Sequence, residues 1–147
     1  MLAQFNIKPR KVRNELRFRS KRVFERISML GGGKSRDWFI DKEILNSSKK
    51  IKKGWLGAFF DDECTFDPVF KRLRVKSMNF KGLKQVKRIL SDLNIQSNIT
   101  GPNTDKSFYL SITGANIQKF YNNINLKHKL KRNKMRIFLE KKNLQKD

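Results

Sequence analysis

Apolar residues return at helical spacing in NFKGLKQVKRILSDL (79–93), where Phe80, Leu83, Val86, Ile89, Leu90 and Leu93 share one face. Elsewhere the period drops to two. In TFDPVFKRLRVKS, Leu73 and Val75 alternate with Arg72, Arg74 and Lys76, which predicts a strand pair turning around Asp67-Pro68. NIQSNITGPN and KSFYLSITG predict a second pair joined by a Gly-Pro-Asn turn. Strands are also expected over 12–19, where Leu16 and Phe18 alternate with charged residues, and over 22–30. SRDWFIDKEIL (35–45) predicts a short helix with Ser35 as its cap, and KKIKKGWLGAFFDDE (49–63) a longer one. ANIQKFYNNI and the basic KHKLKRNKMRIFLEKKN close the chain as helices. The fold class is mixed α/β.

The order of elements contains an incomplete repeat. FNIKPR…RVFERIS…DWFIDKEIL matches LNIQSN…SFYLSIT…QKFYNNINL, with Val23, Phe24, Ile27 and Phe39 falling on Phe108, Tyr109, Ile112 and Phe120. Residues 1–47 therefore read as a ββα segment, the trailing half of a first unit, and residues 48–147 as one whole unit.

Charge narrows the class. Among 147 residues, 35 are Lys or Arg and 13 Asp or Glu, a formal net charge of +22 spread along the chain. Self-repulsion of that size favours a polyanionic partner, with nucleic acid ahead of an anionic membrane surface. No apolar run is long enough to span a bilayer, and MLAQFNIKPRK lacks an apolar signal core, so a cytoplasmic or organellar-matrix protein is expected, not a secreted one. Cys64 is the only cysteine and His128 the only histidine, which excludes an internal disulfide and a Cys/His zinc site.

Against that background GWLGAFFDDEC (54–64) stands out. Gly54, Gly57 and Ala58 fall at i, i+3 and i+4 on one side of a helix, where each glycine costs roughly 1 kcal/mol against alanine. Small residues let a second backbone approach closely; a buried helix with a fortuitous glycine is the competing explanation. Asp61, Asp62 and Glu63 then crowd a helix C-terminus, where their mutual repulsion and the helix dipole both oppose them. Bound divalent cations would offset both costs.

LGAFFDDEC (56–64) resembles the nine-residue signature of the LAGLIDADG homing endonucleases. Leu56, Phe59, Phe60 and Asp61 stand where the family has Leu, Leu, Ile and Asp. Gly57 and Ala58 are its two small residues in swapped order, Glu63 takes the place of its metal-binding acid, and Cys64 departs from its last glycine. The element order after residue 49 resembles the family's αββαββα unit. The resemblance implies a site-specific, divalent-metal-dependent double-strand DNA endonuclease of the intron- or intein-borne kind. Its signature helices pair through the small residues, with another copy of the chain or a partner unit. Each helix then brings one acid to magnesium at the scissile phosphates.

By the same resemblance Glu63 is the metal ligand, Asp62 contributes its backbone carbonyl, Asp61 serves the helix end, and Lys129 matches best the lysine near the scissile phosphate. The sheets form a saddle on the major groove. Alternation then assigns Arg72, Arg74, Lys76, Gln96, Asn98, Thr100, Tyr109 and Ser111 to DNA, and Leu73, Val75, Phe108, Leu110 and Ile112 to the helices, with Arg13, Arg17 and Arg19 extending the surface. One unit supplies one acid where the site needs two. Enzymatic activity therefore depends on a partner, and the alternatives are a cleavage-inactive remnant or a maturase-like protein that binds intron RNA. GGGKS (31–35) lacks the first glycine of a phosphate loop, since Ser28 holds that place, and reads as a plain loop.

Overall fold

The computed structural model describes residues 10–12, 15–17, 20–22, 25 and 35–144. Strands β1 (Arg10–Val12) and β2 (Glu15–Arg17) form a tight antiparallel hairpin with Val12 opposite Glu15. The single strand expected over 12–19 is thus replaced by a hairpin. The strand expected over 22–30 is contradicted at Arg22 and Glu25, which are helical. A Lys21–Glu25 contact of 3.9 Å one turn apart supports the helix. Val23, Phe24, Ile27, Arg13 and Arg19 lie outside the described residues, and Arg17 lies in β2.

The helix expected over 35–45 shrinks to α1 (Lys42–Leu45), capped by Asp41, whose carboxylate accepts the Glu43 N–H at 2.7 Å, not by Ser35. The reason is tertiary. Residues 38–40 run without regular structure along helix α3 (Phe80–Asp92). Gln85 brackets Ile40 there, its Oε1 accepting the backbone N–H at 2.8 Å and its Nε2 donating to the carbonyl at 3.1 Å. The Asn79 amide donates to the Trp38 carbonyl, and the Trp38 ring covers Gly82 so closely that a Cβ there would stand 2.5 Å from it.

The rest follows the expected order: α2 (Lys49–Glu63), β3 (Cys64–Asp67), β4 (Arg72–Ser77), α3, β5 (Asn98–Thr100), β6 (Phe108–Thr113), α4 (Ala115–Asn123) and α5 (Lys129–Leu144). The four strands make one antiparallel sheet in the order β3-β4-β6-β5. Helices cover one face of it. Phe66, Leu73, Val75, Leu110 and Ile112 point into them and are buried against Leu56 and Phe60 of α2, Leu83, Val86, Ile89 and Leu90 of α3, and Phe120 of α4. Phe60 and Phe120 meet with ring centroids 4.7 Å apart. Phe108 is half-buried against Phe80 at 4.9 Å.

Candidate functional site

The pairing register places the other face of the sheet. Asn98, Ser111, Arg74 and Thr65 form one row across the four strands, Thr100, Tyr109 and Lys76 a second, and Thr113, Arg72 and Asp67 a third. Among the described residues no helix covers this face. Arg72, Arg74, Tyr109 and Ser111 are half-exposed, Lys76, Asn98 and Thr100 exposed, and Gln96 is exposed just before β5. All eight residues assigned to DNA by alternation thus lie on the open face or at its edge. The face is also pre-shaped. The Arg74 guanidinium lies 4.0 Å from the Tyr109 ring centroid and the Lys76 ammonium 5.8 Å from it. Lys76 forms a 2.6 Å ion pair with Asp105, which raises the lysine pKa and holds the Asp105 carboxyl well below the usual carboxylate range; a Ser107 hydroxyl at 2.5 Å adds to the latter.

Helix α2 begins on the helical side of the sheet and ends beside the open face. Its three acids take separate roles. Asp61 leaves its own helix end to serve another: its carboxylate accepts the backbone N–H of Lys127 at 2.7 Å and of His128 at 3.0 Å, at the positive end of α5. Lys131 returns from the first turn of α5, donating to the Asp61 carbonyl at 2.5 Å and lying 3.5 Å from that of Phe60, at the negative end of α2. This exchange of charges between two helix ends offsets the cost of acids at a helix C-terminus. Lys129, the lysine expected near the scissile phosphate, is exposed at the start of α5, and Lys131 is the one that reaches the acid-bearing helix end.

Asp62 and Glu63 are both exposed but open onto different depressions. Asp62 joins Asp61, Gly54, Gly57 and Ala58 along a groove of about 850 Å³ whose rim carries Lys49, Lys50, Lys53 and Lys127. Glu63 lines a cavity of about 580 Å³ with Trp38, Trp55, Phe59, Lys76 and Asp105. The small residues also divide. Gly54 and Ala58 are exposed, and a Cβ on Gly54 would meet nothing within 4 Å. Gly57 lines the groove but is buried, and a Cβ there would stand 3.3 Å from the Asn125 carbonyl oxygen, so it also serves close packing within the unit.

The donors suit a hard divalent cation. Glu63 offers an exposed carboxylate. Cys64, the nearest soft donor, is buried, and that burial pushes its thiol up to about 11, so it is neutral near pH 7. Among the described residues no three of His, Cys, Asp and Glu gather to hold a metal ion. Magnesium, bound through one or two carboxylates with water and phosphate oxygens, fits Glu63 as a single donor.

A helix carrying small residues and ending in acids, set against an open basic sheet, is matched by a family profile. The LAGLIDADG-like domain covers residues 50–125, from the first turn of α2 through α4. The chain belongs to the LAGLIDADG family. Solved LAGLIDADG structures share its fold. Mesophilic variants of the homing endonuclease I-DmoI superpose with a TM-score of 0.64 at 21% identity, over 84% of this chain and 66% of theirs. I-DmoI in complex with DNA and manganese gives 0.62 at 21% identity, over 84% and 67%. I-DmoI in complex with DNA and calcium gives 0.60 at 22%, over 84% and 62%. The chain thus spans about two thirds of the length of these structures. No curated protein sequence matches it. Among the described residues no helix is long and apolar enough to cross a membrane.

Proposed function

We propose that the chain is one catalytic unit of a site-specific, divalent-metal-dependent double-strand DNA endonuclease of the intron- or intein-borne homing type. The observation that carries this reading is the position of Glu63, exposed at the end of α2 and lining one cavity with Lys76 of the basic sheet. The sheet holds the duplex in the major groove: Arg72, Arg74 and Lys76 meet guanine edges and phosphates, and Gln96 and Asn98 adenine edges. Tyr109 orients Arg74 from below. Glu63 and the carbonyl of Asp62 would hold a divalent cation such as magnesium, which when bound supplies an activated water and stabilises charge on the departing oxygen. Lys131 fixes the helix end that presents Glu63. The exposed Gly54 and Ala58 admit the signature helix of a second unit, in the simplest case another copy of this chain, which brings the second acid. In this reading residues 1–47 are the trailing half of a neighbouring unit and residues 48–147 the whole one, and the protein works where its DNA is, in a cytoplasm or an organellar matrix.

One observation favours a second reading. Among the described residues no three potential metal ligands gather in a single chain, which fits a cleavage-inactive remnant or a maturase-like protein binding intron RNA through the same surface. Glu63→Gln separates them. In a magnesium-dependent cleavage assay on candidate insertion sites it abolishes cutting while duplex binding persists. If cutting survives Glu63→Gln, the endonuclease mechanism as stated is wrong.

A further inference from the structure

The turn between β3 and β4 carries two large apolar side chains that stand largely exposed among the described residues: Val69 is 80% exposed and Phe70 66%. The turn is nevertheless held in shape. The Asp67 carboxylate accepts the backbone N–H of Val69 at 3.1 Å and of Phe70 at 3.0 Å, and Lys71 adopts a left-handed φ of 50° before β4 begins. The tip is continuous with the open face of the sheet. Asp67 and Arg72 are register partners on that face, and the Arg72 guanidinium lies 4.6 Å from the Phe70 ring centroid. Arg72 Nε is buried without a hydrogen-bond acceptor, a donor left over at the base of the tip. β3 starts directly after Glu63, and its four residues at about 3.3 Å each carry the tip about 13 Å from the acid, some four base-pair steps along a duplex.

We propose that Val69 and Phe70 form an apolar wedge that seats against a base step at the outer edge of the DNA footprint and partly unstacks it. As the Phe70 ring moves from the guanidinium to the bases, the Arg72 Nε–H gains an acceptor on the DNA. Apolar side chains at an otherwise cationic surface act in this way where proteins open base steps, and an aromatic ring stacks on any base whatever its identity. The wedge therefore adds affinity and favours flexible pyrimidine–purine steps at its position without reading a hydrogen-bond pattern. This inference rests on the DNA-binding reading of the sheet.

The test uses the full chain and a short mixed-sequence duplex with 2-aminopurine replacing scattered adenines. Binding of the native chain raises the 2-aminopurine fluorescence. Phe70→Ala binds about tenfold more weakly and loses the rise, while the slope of log affinity against log salt stays the same because no charge is removed. Phe70→Tyr, which keeps a ring, retains both. The exposure of Phe70 leaves the core intact in each variant, and circular dichroism checks this. A native chain that does not bind the duplex overturns the DNA-binding reading and the wedge with it. A native chain that binds, is weakened by Arg74→Ala and is indifferent to Phe70→Ala overturns the wedge alone and assigns the tip to a protein contact.

Discussion

The two open surfaces of this LAGLIDADG unit are finished to different degrees. The sheet face is complete within one chain: Arg74 rests on Tyr109, Lys76 is tied to Asp105, and three rows of side chains are fixed by strand register. The α2 face is bare. Gly54 and Ala58 lie exposed, Ile51 is 55% exposed one turn before them, and Asp62 stands at the far end with lysines around the groove. A surface made to grip a rigid polyanion works alone. A surface stripped of side chains works only when another backbone fills it. Under the proposed function, nucleic-acid binding is accordingly a property of the chain, and cleavage a property of a pair.

That contrast breaks most sharply at Ala58. Ala58→Arg places a long cation where a second helix must approach, so pairing and cutting are lost together while duplex affinity is kept or improved; sedimentation and a cleavage assay read the two sides. Arg74→Ala attacks the other surface. It weakens binding across all sequences and lowers the salt slope by about 1 if the contact is to phosphate, with the pairing of chains unaltered, as fluorescence anisotropy at several salt concentrations shows.

Two glycines sharpen the comparison at lower cost. Gly54→Ala stabilises the isolated chain by about 1 kcal/mol, since nothing stands near the new methyl, yet loosens the pair. Gly57→Ala destabilises it by about 1 kcal/mol through crowding on the Asn125 carbonyl, and urea unfolding separates the two signs. The smallest effect belongs to Asp105→Asn. It releases Lys76 for phosphate and tightens duplex binding by about twofold at low salt. Because Asp105 has a lowered pKa in the folded chain, the support it gives the β5–β6 loop is present above about pH 4 and lost as the pH falls further; the asparagine variant lacks that acid-sensitive step in a pH titration of stability.

Much of this was written in the period of the sequence. Alternation over 72–76 and 108–112 named both faces of the sheet, because a one-residue slip would have turned Leu73, Val75, Leu110 and Ile112 out of the core. The signature placed Glu63 at a helix end. What periodicity could not show was set by neighbours distant in the chain. KHKLKR offers lysines at 127, 129 and 131, and only the cap that Asp61 places on α5 fixes where that helix starts and so which lysine points back. Gly57 and Ala58 are adjacent in sequence, yet one faces Asn125 and the other the outside, a division that spacing alone left undrawn. Residues 38–40 gave up a predicted helix to the Gln85 amide and to the room above Gly82, both on a helix more than 40 residues away.

The central claim, that one chain grips DNA and two are needed to cut it, is tested most directly by the solution mass of the purified chain with a short duplex in calcium, native against Ala58→Arg. Two native chains are expected on one duplex, and a single chain of the variant. One native chain per duplex that cuts both strands once magnesium replaces calcium would contradict it.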